Sequence, residues 1–188
     1  MPMTLKAPVH CTLAAAALLA LSTGLLAPPA LAHTQRTTQA NMLDRIQIED
    51  FLVDYYQPLG GGKQESLSSF FTDDGVIDVN GRVYSGRKGI AQAYKDAGSA
   101  NNGNATFKGK FTMLMNNPRI EIHGATASAD VIWTGIVTGK PTDQPHFAEQ
   151  GKEHDDLVKV NGEWLIKKRI ITSTGGLAPF YQVTFKDR

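Results

Sequence analysis

Thiols are almost absent: the 188 residues hold one cysteine, Cys11, and it lies in an apolar N-terminal segment. The chain beyond it therefore has no disulfide framework and no thiol nucleophile. Surplus charge is missing as well, with 19 Lys and Arg against 18 Asp and Glu for a formal net charge of +1. That balance leaves no electrostatic footprint for nucleic acid or an anionic membrane surface. Neither a GxGxxG nor a P-loop motif occurs, and no two of the five histidines stand in H-x-x-x-H or H-E-x-x-H spacing. No cofactor and no metal is signalled. A membrane span is lacking too: the continuous apolar run from Leu13 to Leu21 falls short of the ~20 residues a bilayer needs.

What is present begins with a leader. Lys6, the apolar run and the small-residue stretch Ala30-Leu31-Ala32 have the order of a secretory signal peptide with an A-x-A cleavage signature before His33. The expectation is a signal peptide over 1–32 and one exported domain over 33–188, periplasmic or secreted, with no membrane attachment after cleavage. A domain of that size can be held by its core without disulfides.

Apolar spacing and turn residues then divide the domain. "NMLDRIQIEDFLVDYYQPL" places Ile48, Leu52 and Tyr55 on one helical stripe with Phe51 beside it, ended by Pro58 and the glycines at 60–62. "KQESLSSFF" reads as a short helix burying Leu67 and Phe70 or Phe71. "DGVIDVNGRVYSG" is a hairpin closed by Asn80-Gly81, the pair a type I′ turn requires. "GRKGIAQAYKDAG" is a helix with Ile90, Ala93, Tyr94 and Ala97 on one face, and "SANNGNATFKG" reads as loop. Long strands follow in "KFTMLMNNPRIEIHG" and "TASADVIWTGIVTG", then in "GKEHDDLVKV" and "EWLIKKRIITST" joined by Asn161-Gly162. "KPTDQPHFAEQ" between them reads as a rim or lid loop. Helices first and antiparallel strands last argue an α+β fold with helices on one face of a curved sheet.

In their order and spacing, "IEDFLVDYY", "LSSFFTDDGVIDVNGRVYSGRKGIAQAY", "NNPRIEIHGATASADVIW" and "DDLVKVNGEWLIKKR" resemble the SnoaL-like branch of the nuclear-transport-factor-2-like superfamily over 41–173. The resemblance implies a cone-shaped curved antiparallel sheet packed on N-terminal helices, a cystatin-like α+β barrel with a pocket at its mouth. Members include polyketide cyclases, ketosteroid isomerases, scytalone dehydratases and cofactor-free formaldehyde lyases of lignin-derived diarylpropanes. "FTMLMNNPRI", "EQGKEHDDLVK" and "WLIKKRIITS" are similar to the last group. That similarity implies a lyase releasing formaldehyde from a small aromatic diol to leave a stilbene. A dehydratase or isomerase of a small aromatic or polycyclic substrate and a non-catalytic binding module stay open. The family also implies a homo-oligomer, dimer or trimer, paired through the outer sheet face. One departure stands out: many relatives carry a histidine four residues before the asparagine of "N-P-x-I", and here that position is Met113.

The densest chemistry is "EHDD". Side chains alternate along a strand, so Glu153 and Asp155 share one face and His154 and Asp156 the other. Only one pair can face the pocket, and the sequence leaves open which. His154 and Asp156 suit Zn2+, but a third converging ligand is needed and none is signalled, so no metal is expected. The candidate catalytic residues are Glu153 or His154 as base, with Tyr55 and Asp78 as acid-side donors. The candidate substrate-binding residues are Tyr84, Lys110, Met113, Arg119 and Trp133, with Lys110 or Arg119 holding a phenolate. Each has a plainer reading beside it: a core tyrosine for Tyr55, solvent-facing strand positions for Asp78 and Tyr84, packed core for Met113 and Trp133, and a wet strand for "EHDD". "IKKR" reads as a solvated outer face, with Arg169 excepted as a cross-strand partner for Asp155.

Overall fold

The computed structural model describes residues 36–60, 64–102 and 110–175. The signal peptide expected over 1–32 lies outside the described residues, as do Gly61 and Gly62 and the side chain of Ala97. Helix α1 covers Met42–Tyr56 and buries Ile48, Leu52 and Tyr55, with Phe51 packed beside them. Pro58 has no amide hydrogen and disfavours helix in the residue before it. The α-helix accordingly stops at Tyr56 and runs on as a 3-10 turn, Gln57–Gly60. A second 3-10 turn, Gln64–Phe70, buries Leu67.

Strands β1 (Phe71–Val79) and β2 (Arg82–Ser85) form the expected hairpin, with Asn80 at φ 54° and Gly81 at φ 91°. Helix α2 spans Gly86–Asn102 and buries Ile90, Ala93 and Tyr94. It runs four residues into the stretch expected as loop, because Ser99 to Asn102 contains no helix breaker before Gly103. Strands β3 (Lys110–His123), β4 (Thr126–Thr138), β5 (His146–Val160) and β6 (Glu163–Gly175) complete the fold. Here β5 starts five residues before the expected Gly151. His146 and Phe147 pair with Val137 and Ile136, so the rim loop shrinks to Gly139–Pro145. That short loop is closed on itself, the Lys140 amide donating to Asp143 Oδ2 at 2.8 Å.

The six strands make one curved sheet in the order β2-β1-β6-β5-β4-β3, antiparallel except that β1 runs parallel to β6. Register shifts break the β3–β4, β4–β5 and β5–β6 ladders, and such bulges bend strands. The β3 bulge holds Asn117 at φ 49°. The hairpin is pinned across the parallel pair by Asn80. Its amide group donates to Ser173 Oγ at 3.1 Å and accepts from the Ser173 amide at 2.8 Å. No helix among the described residues is long and apolar enough to cross a membrane.

The core lies between the helices and the inner sheet face, and glycine makes room for its rings. A Cβ on Gly151 would come within 2.3 Å of Trp133 Cζ2 and 2.6 Å of the Thr172 carbonyl oxygen. Backbone cannot yield there. Gly151→Ala is expected to cost about 1–3 kcal/mol by overpacking. Gly175→Ala, with nothing within 4 Å, should stay within about 0.5 kcal/mol of the parent. Urea unfolding midpoints of the two variants check this, and equal midpoints would count against a filled inner wall.

Candidate active site

Strand pairing settles the parity of "EHDD". Glu153 lies opposite Val131 and Ile171, and Asp155 opposite Ala129 and Arg169. Both carboxyls face the helices, with Glu153 4% and Asp155 0% exposed. His154 and Asp156 look outward.

Two acids in a dry core need a cation, and Arg169 on β6 supplies it. Its Nε donates to Asp155 Oδ1 at 2.6 Å and its Nη2 to Asp155 Oδ2 at 2.7 Å, a two-pronged pair. The same Nη2 lies 3.0 Å from Glu153 Oε1. The guanidinium carbon stacks 3.6 Å from the centre of the Tyr55 ring, a cation–π contact. Tyr56, the last residue of α1, donates its hydroxyl to Glu153 Oε1 at 2.8 Å. Tyr55 and Tyr94 are hydrogen-bonded through their hydroxyls. Arg169 Nη1 is buried without a hydrogen-bond partner among the described residues.

One guanidinium cannot neutralise two carboxylates. Asp155 takes the full two-pronged pair, which leaves Glu153 with the weaker share. Burial pushes the Glu153 carboxyl up, Arg169 opposes the rise and the Asp155 charge adds to it, so that it stands at about 8. With a proton on Glu153 the cluster is neutral. Burial also raises Tyr55, Tyr56 and Tyr94, whose hydroxyls stay protonated and act as donors. In this cluster, then, Glu153 is the group poised to exchange a proton near neutrality.

The remaining candidates separate by location. Met113 packs against the core, and Trp133 is buried on the inner wall. Lys110 and Met113, with Tyr56, line a cleft of about 670 Å3 between the end of α1 and β3. The hydroxyl that holds Glu153 thus belongs to a residue of that cleft wall. Four candidates stand apart from the cluster, each for a local reason. His154 is turned outward by strand alternation, its Nδ1 2.7 Å from Asp130 and its Nε2 3.5 Å from Asp156. Asp78 accepts the Gly81 amide at 2.7 Å and so belongs to the hairpin turn. Tyr84 donates to Asp96 at 3.1 Å across to α2. Arg119, largely exposed, forks onto Glu121 at 2.6 and 3.0 Å. Among the described residues no group of three or more His, Cys, Asp or Glu is placed to hold a metal ion.

Sequence reasoning left Asp155, Arg169, Tyr56 and Tyr94 out of the candidate site. The cross-strand pairing of Asp155 with Arg169 was readable. Its place in the site follows only once Glu153 is known to point inward. Tyr56 falls off the Ile48–Leu52–Tyr55 stripe, and no periodicity marks it.

The SnoaL-like domain family matches residues 40–170. The chain belongs to that family. No curated protein matches it. Among solved structures, this SnoaL-like chain is similar to a Nostoc punctiforme protein of unknown function with a cystatin-like fold, at 19% identity and TM-score 0.62, covering 74% of this chain and 96% of that one. It is also similar to an NTF2-like protein with a cystatin-like fold from Novosphingobium aromaticivorans, at 16% identity and TM-score 0.60, covering 79% and 92%. A third, from the same organism and provisionally named a scytalone dehydratase, aligns at 21% identity and TM-score 0.59 over 74% and 89%. At such identities the likeness is one of fold, and the SnoaL-like fold agrees with the architecture expected from the sequence.

The buried acid predicts a pH dependence. Glu153 binds its proton more tightly folded, at about 8, than at its ordinary 4.5. Its contribution is therefore complete below about 4.5 and is lost as pH rises through about 8, with a slope of up to about 1.4 kcal/mol per pH unit. His154, raised chiefly by its hydrogen bond to Asp130, acts in the same direction. Urea midpoints measured from pH 5 to 9 should fall with pH, and Glu153→Gln should flatten the fall between pH 7 and 8. A wild-type curve already flat over that interval would contradict the assignment.

Proposed function

We propose that this SnoaL-like protein is a cofactor-independent lyase acting on a small aromatic diol, of the lignin-derived diarylpropane kind, by general acid–base chemistry. The observation that carries the reading is the buried Glu153. It is held by Arg169 and by Tyr56 of the cleft wall, with its proton available near neutral pH. The family includes dehydratases and cyclases, reactions that likewise turn on proton transfer in an enclosed pocket. Met113 stands where a histidine-dependent dehydratase would place its base, which favours the carboxyl of Glu153 as the working group.

The chemistry runs in two steps. Protonated Glu153, with Tyr56 and the free Arg169 Nη1 as further donors, gives its proton to the benzylic hydroxyl, which leaves as water. The substrate phenol, ionised beside Lys110 at the cleft, supplies the electrons and becomes a quinone methide. A carboxylate then takes the proton of the terminal hydroxyl. The adjacent carbon–carbon bond breaks, its electron pair restores the phenolate and forms the alkene, and formaldehyde departs. Water, formaldehyde and a stilbene account for every atom, and no oxidant or reductant is consumed. Buried donors cost little reorganisation at the moment of reaction, and a preorganised acid contributes typically 10²–10⁴-fold.

The test is incubation of chelator-treated protein with a phenolic diarylpropane-1,3-diol, reading formaldehyde and stilbene together. Equal amounts of both are expected. Glu153→Gln should lower kcat by about 10²-fold or more and Tyr56→Phe by about 10-fold or more, with Tyr84→Phe near wild type. Turnover that survives Glu153→Gln unchanged would remove the acid from this mechanism.

A further inference from the structure

A second carboxyl of the inner wall has no part in the cluster around Arg169. Glu149 lies on β5 opposite Gly135 of β4. A Cβ on Gly135 would meet Glu149 Cγ at 3.0 Å and the ring of Phe111 at 2.6 Å. Gly135 shares its strand face with Val131 and Trp133, both buried in the core. Glu149 and the Phe111 ring therefore stand over the inner face, the side that Glu153 occupies. On that face of β5 only Gly151 separates the two glutamates, and Gly151 carries no side chain because the Trp133 ring fills the space. Four residues of strand put their Cα atoms roughly 13 Å apart.

The surroundings of the two acids differ. Glu153 is bound to Arg169 and Tyr56. Glu149 has no hydrogen-bond or ion-pair partner among the described residues, and what presses on it is Gly135 and an aromatic ring. Those neighbours are uncharged, and the next ionisable group along its face is Glu153. A half-buried carboxyl beside an aromatic ring, with no partner among the described residues, is an unusual thing for a fold to keep. Burial alone lifts it, to about 7.

We propose that Glu149 is a second catalytic carboxyl of this pocket, taking the proton of the substrate's terminal hydroxyl while Glu153 serves the benzylic one. The inference rests on the lyase reading and deepens it. Acid and base become separate groups at two places along one strand, and the substrate lies along the cleft whose wall holds Tyr56, the partner of Glu153, and Phe111, the ring on the Glu149 side. The balance is unchanged: Glu153 loses the proton that departs in water, Glu149 gains the proton of the terminal hydroxyl, and exchange with solvent resets both. The pairing also selects the substrate class, a molecule with two hydroxyls on different carbons and an aromatic ring to lie on the wall.

Two measurements on the full chain test it. In the formaldehyde assay, Glu149→Gln should lower kcat by 100-fold or more, leave KM within about threefold and abolish the ionisation near pH 7 in the rate profile. Glu149→Asp should recover part of the loss. Equal rates for wild type and Glu149→Gln would overturn the inference and leave the lyase reading standing. Independently, the Glu149 carboxyl of 13C-glutamate-labelled wild type is titrated with and without 4-hydroxystilbene. A midpoint near 7 that moves by half a pH unit or more with the probe supports the placement. A midpoint in the ordinary carboxyl range, or one that ignores the probe, overturns it. Should the wild type release no formaldehyde, the lyase reading fails, and this titration alone decides whether Glu149 faces a ligand.

Discussion

Everything at the centre of this fold answers to one shared cation. Arg169 sits fully buried between two acids, stacked on Tyr55, and its charge cannot be spread evenly. An ion pair taken out of water recovers its desolvation cost only with close geometry. The two-pronged contact to Asp155 has that geometry. Glu153 is then the residual acid, kept neutral by its proton and oriented by Tyr56. The raised affinity of Glu153 for its proton thus follows from burial beside a second acid with, among the described residues, one cation between them.

The elements that deliver these groups do so by unremarkable means. Strand alternation brings Glu153 and Asp155 to one face. The proline after α1 stops the helix so that Tyr56 ends it. Glycines on β4 and β5 leave room for Phe111 and Trp133 to lie flat against the sheet. The inner wall is therefore closely filled by the Trp133 ring at Gly151 and by the Phe111 ring at Gly135. Such a wall raises the energy of any charge placed on it.

Much of the architecture could be read from the chain alone, because its signals are local. Asn80-Gly81 and Asn161-Gly162 dictate their turns through backbone conformation, and the Ile48–Leu52–Tyr55 stripe dictates which side of α1 is buried. Glu153 and Tyr55 were named from their residue types and elements. The parity of "EHDD" was not decidable, since a strand with charges on both faces carries no hydrophobic label for its inside. The pairing of Asp155 with Arg169 is legible across the Asn161-Gly162 hairpin, but its place in the site depends on the parity of Glu153. Tyr56 needed the exact end of a helix. The early start of β5 was hidden because His146 to Gln150 has no strand-like composition, and its pairing is imposed by β4.

The parallel contact between β1 and β6 has a consequence for how the chain acquires its structure. Strand β6 lies in the interior of the sheet, flanked by β1 and by β5. Asn80 closes that seam against Ser173, a partner 93 residues further along the chain. Among the described residues the β1–β2 hairpin has no neighbour in the sheet until β6 has been made, so the sheet cannot grow outward from the hairpin. Contacts of such long separation slow folding and leave strand edges unpaired in the meantime. Until β6 is made, the seam between β1 and β6 stays open. Truncation just before β6 would therefore remove the middle of the sheet, and with Arg169 the cation on which the site depends.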